Sequence, residues 1–124
     1  MQQQTMAKPK QSFINALLHA ANGILHFITF ERNGRIQFAV SCMVMLAAYF
    51  LRADTYEYII IIFSIAAVIV TEMINTAIEK LCDFIEPTYH PSIKIIKDVA
   101  AGAVMVAAAV SIIAGSLIFL PKLF

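Results

Sequence analysis

An all-α integral membrane protein, with an N-terminal amphipathic surface helix and three transmembrane helices, is the fold class this sequence predicts. Three observations lead there. Of the 124 residues, 60% are hydrophobic and only 14% are charged, an apolar share above and a charged share below those of ordinary soluble domains. A water-soluble chain of this length could not bury so much apolar surface. The apolar residues also gather into runs of spanning length, separated by short segments rich in charge and proline. A net charge of +1, without a basic patch interleaved with aromatics, argues against nucleic acid as a partner.

Residues 1–11 hold a glutamine run with Lys8, Pro9 and Lys10 and read as a flexible tail. Residues 12–124 read as one membrane domain. Ser12 suits the N-cap of a helix over 12–30. Phe13, Leu17, Ala20, Ile24 and Phe27 line one face of that helix, and Asn15, His19, Asn22 and His26 line the other. This pattern fits a helix lying in the membrane interface or packed on the rest of the protein. The segment FERNGRIQ follows. Glu31 and Arg35 lie four residues apart, the spacing of a surface ion pair, and Gly34 is expected to loosen the joint.

The first span is expected at about 35–52 and the second at about 56–85, with Tyr56 and Tyr58 where interfacial aromatics belong. Pro87 and Pro91 disfavour helix in the turn EPTYHPS. The third span is expected at about 93–120. Its small residues Ala101, Ala108, Ser111 and Gly115 suit close helix packing. Lys8, Lys10, Arg32, Arg35, Lys80, Lys94 and Lys97 fall on one side of this arrangement, and only Arg52 and Lys122 on the other. The N-terminus and the 80–98 region are therefore expected on the cytoplasmic side. Cys42 and Cys82 match no metal-ligand spacing and read as free thiols.

Within the second span, Glu72, Asn75 and Glu79 fall at i, i+3 and i+7, with Asp83 at i+11, so they share one helix face. A carboxylate at membrane depth costs several kcal/mol unless it is paired, hydrated or bound to a cation, which makes the row a candidate site. Glu72 lies about 24 Å along the helix from its start, near the far edge of a roughly 30 Å hydrocarbon core. Glu31 and the Lys97–Asp98 pair are expected on the same side. Carboxylates, a hard divalent cation and lysines are the parts phosphoryl transfer needs. No glycine-rich phosphate loop is present. Carboxylates on membrane helices also line ion paths, so a small ion-translocating or scaffold protein stays open on these residues alone.

The segment EMINTAIEK with its following aspartate, the turn containing YHP, and KDVAAGAV together resemble the signature of the small bacterial membrane lipid kinases, the diacylglycerol kinase and undecaprenol kinase family. SFINALLHAANG and ERNGR upstream resemble that family's surface helix and its entry to the first span. The resemblance implies a homotrimer in the bacterial inner membrane, with the active site on the cytoplasmic side, that moves the γ-phosphoryl group of ATP to a lipid alcohol with Mg²⁺, for which Mn²⁺ can substitute. It implies Glu72 as the catalytic base and Glu31 and Glu79 as metal ligands. It also implies an ATP site formed by Glu31, Asn75, Glu79, Lys97 and Asp98. The AAGAV, IEK, HP and FLPK details resemble the undecaprenol kinase branch more than the diacylglycerol kinase branch, which tends to carry Gly-Ser where this chain has Ala100–Ala101. Undecaprenol is therefore the expected acceptor, ahead of diacylglycerol.

Overall fold

The structure, a computed structural model, describes residues 12–124; the tail expected over 1–11 lies outside the described residues. Four helices follow one another in these residues: α1 Phe13–Phe30, α2 Arg32–Phe50, α3 Thr55–Ile85 and α4 Pro91–Leu123. The described residues contain no strand, in keeping with the all-helical class.

The helix starts follow local chemistry. Ser12 Oγ accepts from the Asn15 amide at 3.2 Å, and Asp54 Oδ1 accepts from the Glu57 amide at 2.8 Å. Each cap satisfies an amide that the first helical turn leaves unpaired. At α4 the cap is His90, whose Nδ1 accepts from the Ser92 amide at 3.1 Å. Pro91 occupies the first turn there, where its missing N–H and fixed φ cost nothing. The turn between α2 and α3 passes through Arg52 at φ 55°, a left-handed backbone that bulky residues rarely adopt. Pro121 lies inside the last turn of α4 and does not end it; the helix runs on to Leu123.

α1 and α2 are separated only by Glu31, in extended backbone at φ −90° and ψ 130°. Gly34 sits just past this bend, buried and inside α2. A Cβ built on it would lie 1.8 Å from the carbonyl oxygen of Phe27. Gly34 therefore tightens the joint, contrary to the loosening expected from the sequence: with no side chain it lets α1 fold directly against α2. Phe27, 4% exposed, is buried in that contact.

The most extensive packing is between α3 and α4, while α2 contacts both α1 and α3. The buried apolar set is small: Phe27, Ala48, Ile61, Val68, Cys82 and Ala100. Large apolar side chains such as Phe63, Met105 and Leu117 face outward, where lipid or another protein must cover them. α3 has 31 residues and α4 has 33. At 1.5 Å per residue they run about 46 and 50 Å, longer than a hydrocarbon core of about 30 Å, so their ends extend beyond it.

By length and composition, the described helices apolar enough to cross a bilayer are α1, α3 and α4. α2 falls outside that set because its first two turns carry Arg32, Asn33, Arg35 and Gln37. Composition thus ranks α1 above α2 as a span, the reverse of the assignment expected from patterning and charge.

Candidate active site

The site is built on one face of α3 where that helix nears the end of its apolar run. Glu72 is 8% exposed and Asn75 is 5% exposed, one turn apart on the same face. Asn75 Nδ2 donates to Glu79 Oε1 at 3.2 Å. The other end of that amide, Oδ1, is buried without a hydrogen-bond partner. An orphaned buried acceptor is uncommon and calls for an explanation. Burial of this polar pair is the clearest departure from a simple apolar span, since most of the apolar residues around it face outward.

The opening of α2 contributes from the other side. Asn33 Nδ2 donates to Glu72 Oε2 at 3.4 Å. Glu31 Oε1 lies 2.8 Å from Lys80 Nζ on α3 and 3.7 Å from His26 Nε2. The hydrogen bond from Lys80, with the charges of Lys80, His26 and Arg35, holds the Glu31 carboxyl below the usual carboxylate range. The Glu31–Arg35 pair anticipated from spacing does not form: Arg35 Nη1 donates instead to the Thr29 carbonyl at 2.9 Å.

α4 brings its charged first turns alongside. Lys97 Nζ meets Asp83 Oδ1 at 2.5 Å, and Lys94 Nζ meets Asp98 Oδ2 at 2.5 Å. Lys97 and Asp98 are thus each held by a partner of opposite charge and not by each other. Of the six residues singled out in the sequence, Glu72, Asn75 and Glu79 form one strip, and Glu31 is tied to its edge through Lys80. Lys97 is tied to the end of α3 through Asp83, and Asp98 turns away towards Lys94.

Two participants escaped sequence reasoning. Lys80 was counted only among the basic residues that set orientation, yet it ties Glu31 to α3, as Asp83 of the predicted row ties Lys97. Asn33 was passed over within ERNGR, although a polar residue two positions after a candidate ligand, at a helix start, was a usable signal.

Two cavities lie along α3. One, of about 510 Å³, lies between α2, α3 and α4, with Val40, Val44, Ile61, Val68 and Ile112 among its lining residues. The other, of about 450 Å³, is lined by Thr71 and Asn75 of α3 with Ile95, Val99 and Ala103 of α4. On α3 the first cleft reaches Val68 and the second begins at Thr71; Glu72, next to Thr71 in the chain, lines neither.

Among the described residues no three His, Cys, Asp or Glu side chains lie close enough to hold a metal ion by themselves. The available donors are nonetheless of the right kind for Mg²⁺, which takes oxygen ligands and commonly uses one or two carboxylates with substrate phosphates. Glu79 is half-buried, and the Oδ1 of Asn75, whose amide nitrogen it holds, is an oxygen without a hydrogen-bond partner.

A buried carboxylate and amide on an apolar helix, with lysine ion pairs near them, define a helical membrane protein with a polar strip at the edge of its apolar zone. The chain matches the prokaryotic diacylglycerol kinase family over residues 18–119 and belongs to that family; it is a membrane lipid kinase. It is 40% identical over 111 residues to the undecaprenol kinase of Bacillus subtilis (strain 168), covering 90% of each chain. It is 33% identical over 106 residues to the diacylglycerol kinase of Synechocystis sp. (strain ATCC 27184 / PCC 6803 / Kazusa), covering 85% of this chain and 61% of that protein.

Proposed function

We propose that this chain transfers the γ-phosphoryl group of ATP to the hydroxyl of undecaprenol, giving undecaprenyl phosphate. The observation that carries the reading is Glu72: a carboxylate 8% exposed on an apolar helix, beside Thr71 and one turn from Asn75, which both line an apolar cleft, at the depth where a lipid hydroxyl meets the aqueous edge. There it accepts the hydroxyl proton as the alcohol oxygen bonds to the γ-phosphorus and the bond from that phosphorus to the β–γ bridging oxygen breaks, releasing ADP. A positioned general base of this kind contributes about 10²- to 10⁴-fold to rate.

Glu31, Asn75, Glu79, Lys97 and Asp98 form the nucleotide side. Glu31 and Glu79 would hold Mg²⁺, which when bound neutralises charge on the phosphates. Lys97 is placed to exchange Asp83 for a phosphate oxygen, and Asp98 to leave Lys94 for the nucleotide. The protein sits in the bacterial inner membrane with α1 on the surface, α2, α3 and α4 crossing, and the site facing the cytoplasm. The basic residues at the start of α2 and around the α3–α4 turn support that orientation, as does the polar stripe along α1. It works as a homotrimer, a reading supported by the outward apolar faces of α3 and α4.

Undecaprenol is placed ahead of diacylglycerol because the likeness to the Bacillus enzyme is both higher and spread over more of the two chains. Phosphorylation of diacylglycerol to phosphatidic acid, on the same fold and by the same steps, is the second reading. Purified protein in detergent with labelled ATP, offered the two lipids side by side, separates them. The expected result is labelled undecaprenyl phosphate in excess. Preferential labelling of phosphatidic acid would reverse the assignment.

A further inference from the structure

We propose that Asn33 is a positioning residue for phosphoryl transfer, acting through Glu72; this rests on the reading of Glu72 as the base. The side-chain amide of Asn33 makes the one hydrogen bond to the Glu72 carboxylate among the described residues, Nδ2 to Oε2 at 3.4 Å. The contact joins the start of α2 to the middle of α3, 39 residues apart in sequence. Glu72 reaches it through three rotatable bonds, and an unanchored carboxylate would divide its time among rotamers. Fixing one oxygen leaves the other free to face an incoming hydroxyl.

The kind of partner matters. Glu31, the carboxylate on the nucleotide side, is met by a lysine at 2.8 Å. Glu72 is met by a neutral amide. A cation beside a carboxylate strongly favours the ionised form and makes it a poor proton acceptor, whereas a neutral donor orients it with a smaller effect. The two acidic residues thus carry partners suited to two tasks, holding positive charge and taking up a proton. The bond is long for an N–H···O contact, as base-orienting contacts often are before substrate binds.

The placement of Asn33 depends on the residue after it. Gly34 lets α1 lie against α2 at the Phe27 carbonyl, and this close joint sets how the first turn of α2 meets α3. Asn33 is exposed, and among the described residues the hydrogen bond its side-chain amide makes is the one to Glu72.

The test is a set of substitutions with kcat and KM measured separately for the lipid and for ATP. Asn33→Asp keeps the shape and removes the donor; Asn33→Ala removes both; Asn33→Gln keeps the donor one methylene further out. The expected result is a fall in kcat of about tenfold or more for Asn33→Ala, the size of one hydrogen bond to a charged group. Asn33→Asp should fall at least as far, Asn33→Gln should recover part of the loss, and both KM values should stay within about twofold. In a double-mutant cycle, Asn33→Ala should have no further effect once Glu72 is alanine. Wild-type kcat in Asn33→Asp would overturn the proposal while leaving Glu72 in place, and so would a full additive loss on the Glu72→Ala background. Retained turnover in Glu72→Ala itself would remove the base assignment and this inference with it. Should Asn33→Ala fail to assemble, the comparison of Asn33→Asp with Asn33→Gln decides the matter alone.

Discussion

A carboxylate acquires its task from its surroundings, and the two halves of this site show how. Glu72 is buried and touched by an amide; Glu31 is more open and touched by an ammonium. Replacing Glu79 by Gln keeps the amide contact to Asn75 possible but removes a charged oxygen. We expect the Mg²⁺ concentration needed for half-maximal rate to rise about tenfold or more, read by metal titration at saturating ATP, since a full ligand charge is lost. Glu31 gives a pH prediction whose sign is fixed. Its carboxyl is held below the usual range by Lys80, so the pair's contribution to stability is fully present above the ordinary carboxylate value. It is lost as pH falls through the lowered one. Lys80→Met should therefore flatten the acid end of the stability curve, measured as Tm against pH, and leave neutral and alkaline pH nearly unchanged apart from a constant offset. The strip of Glu72, Asn75 and Glu79 was legible in the sequence because helical periodicity alone puts i, i+3 and i+7 on one face. The partners were not, because Lys80 to Glu31 and Asn33 to Glu72 are contacts between helices, and no periodicity within a helix encodes them.

At the level of elements, the joint between α1 and α2 carries the most specific requirement. Gly34 was readable as a helix weakener, yet its role is set by the Phe27 carbonyl lying where a Cβ would go. A close approach of two backbones leaves no trace in one-dimensional pattern beyond the glycine itself. Gly34→Ala should force α1 away from α2 and cost on the order of 1–3 kcal/mol, as overpacking typically does. Thermal unfolding and protease cleavage within residues 13–31 should both report it, and kcat should fall because Asn33 and Glu31 shift with the joint. The far end of the bundle makes a contrasting prediction. Lys122 Nζ lies 3.0 Å from Glu57 Oε2, although that oxygen has no aligned hydrogen bond; the contact is between charges, linking the end of α4 to the start of α3. Lys122→Met should lower Tm slightly and leave kcat unchanged, since Glu72 lies about 22 Å along α3 from Glu57.

For the whole molecule, the solvent decides the architecture. So few side chains are buried that the four helices cannot be held together by a core of the aqueous kind. The outward apolar faces are stable only against lipid or a neighbouring copy. Composition announced this class from the first reading, because 60% apolar residues leave no other solvent. Which helices cross was less legible. The apolar content of α1 makes it a candidate span, and the arginines opening α2 depress its own, so composition and amphipathic pattern point in different directions over residues 13–50. The fold places the acidic strip where α3 leaves its most apolar stretch, the placement that the proposed reaction between a greasy alcohol and a water-soluble nucleotide requires.

The most direct measurement compares wild type with Glu72→Ala in the same detergent, with undecaprenol and labelled ATP, after size-exclusion has shown that both assemble alike. The account predicts labelled lipid phosphate from wild type and a rate at least about a hundredfold lower from the variant, with nucleotide binding retained. A variant turning over within tenfold of wild type would contradict it.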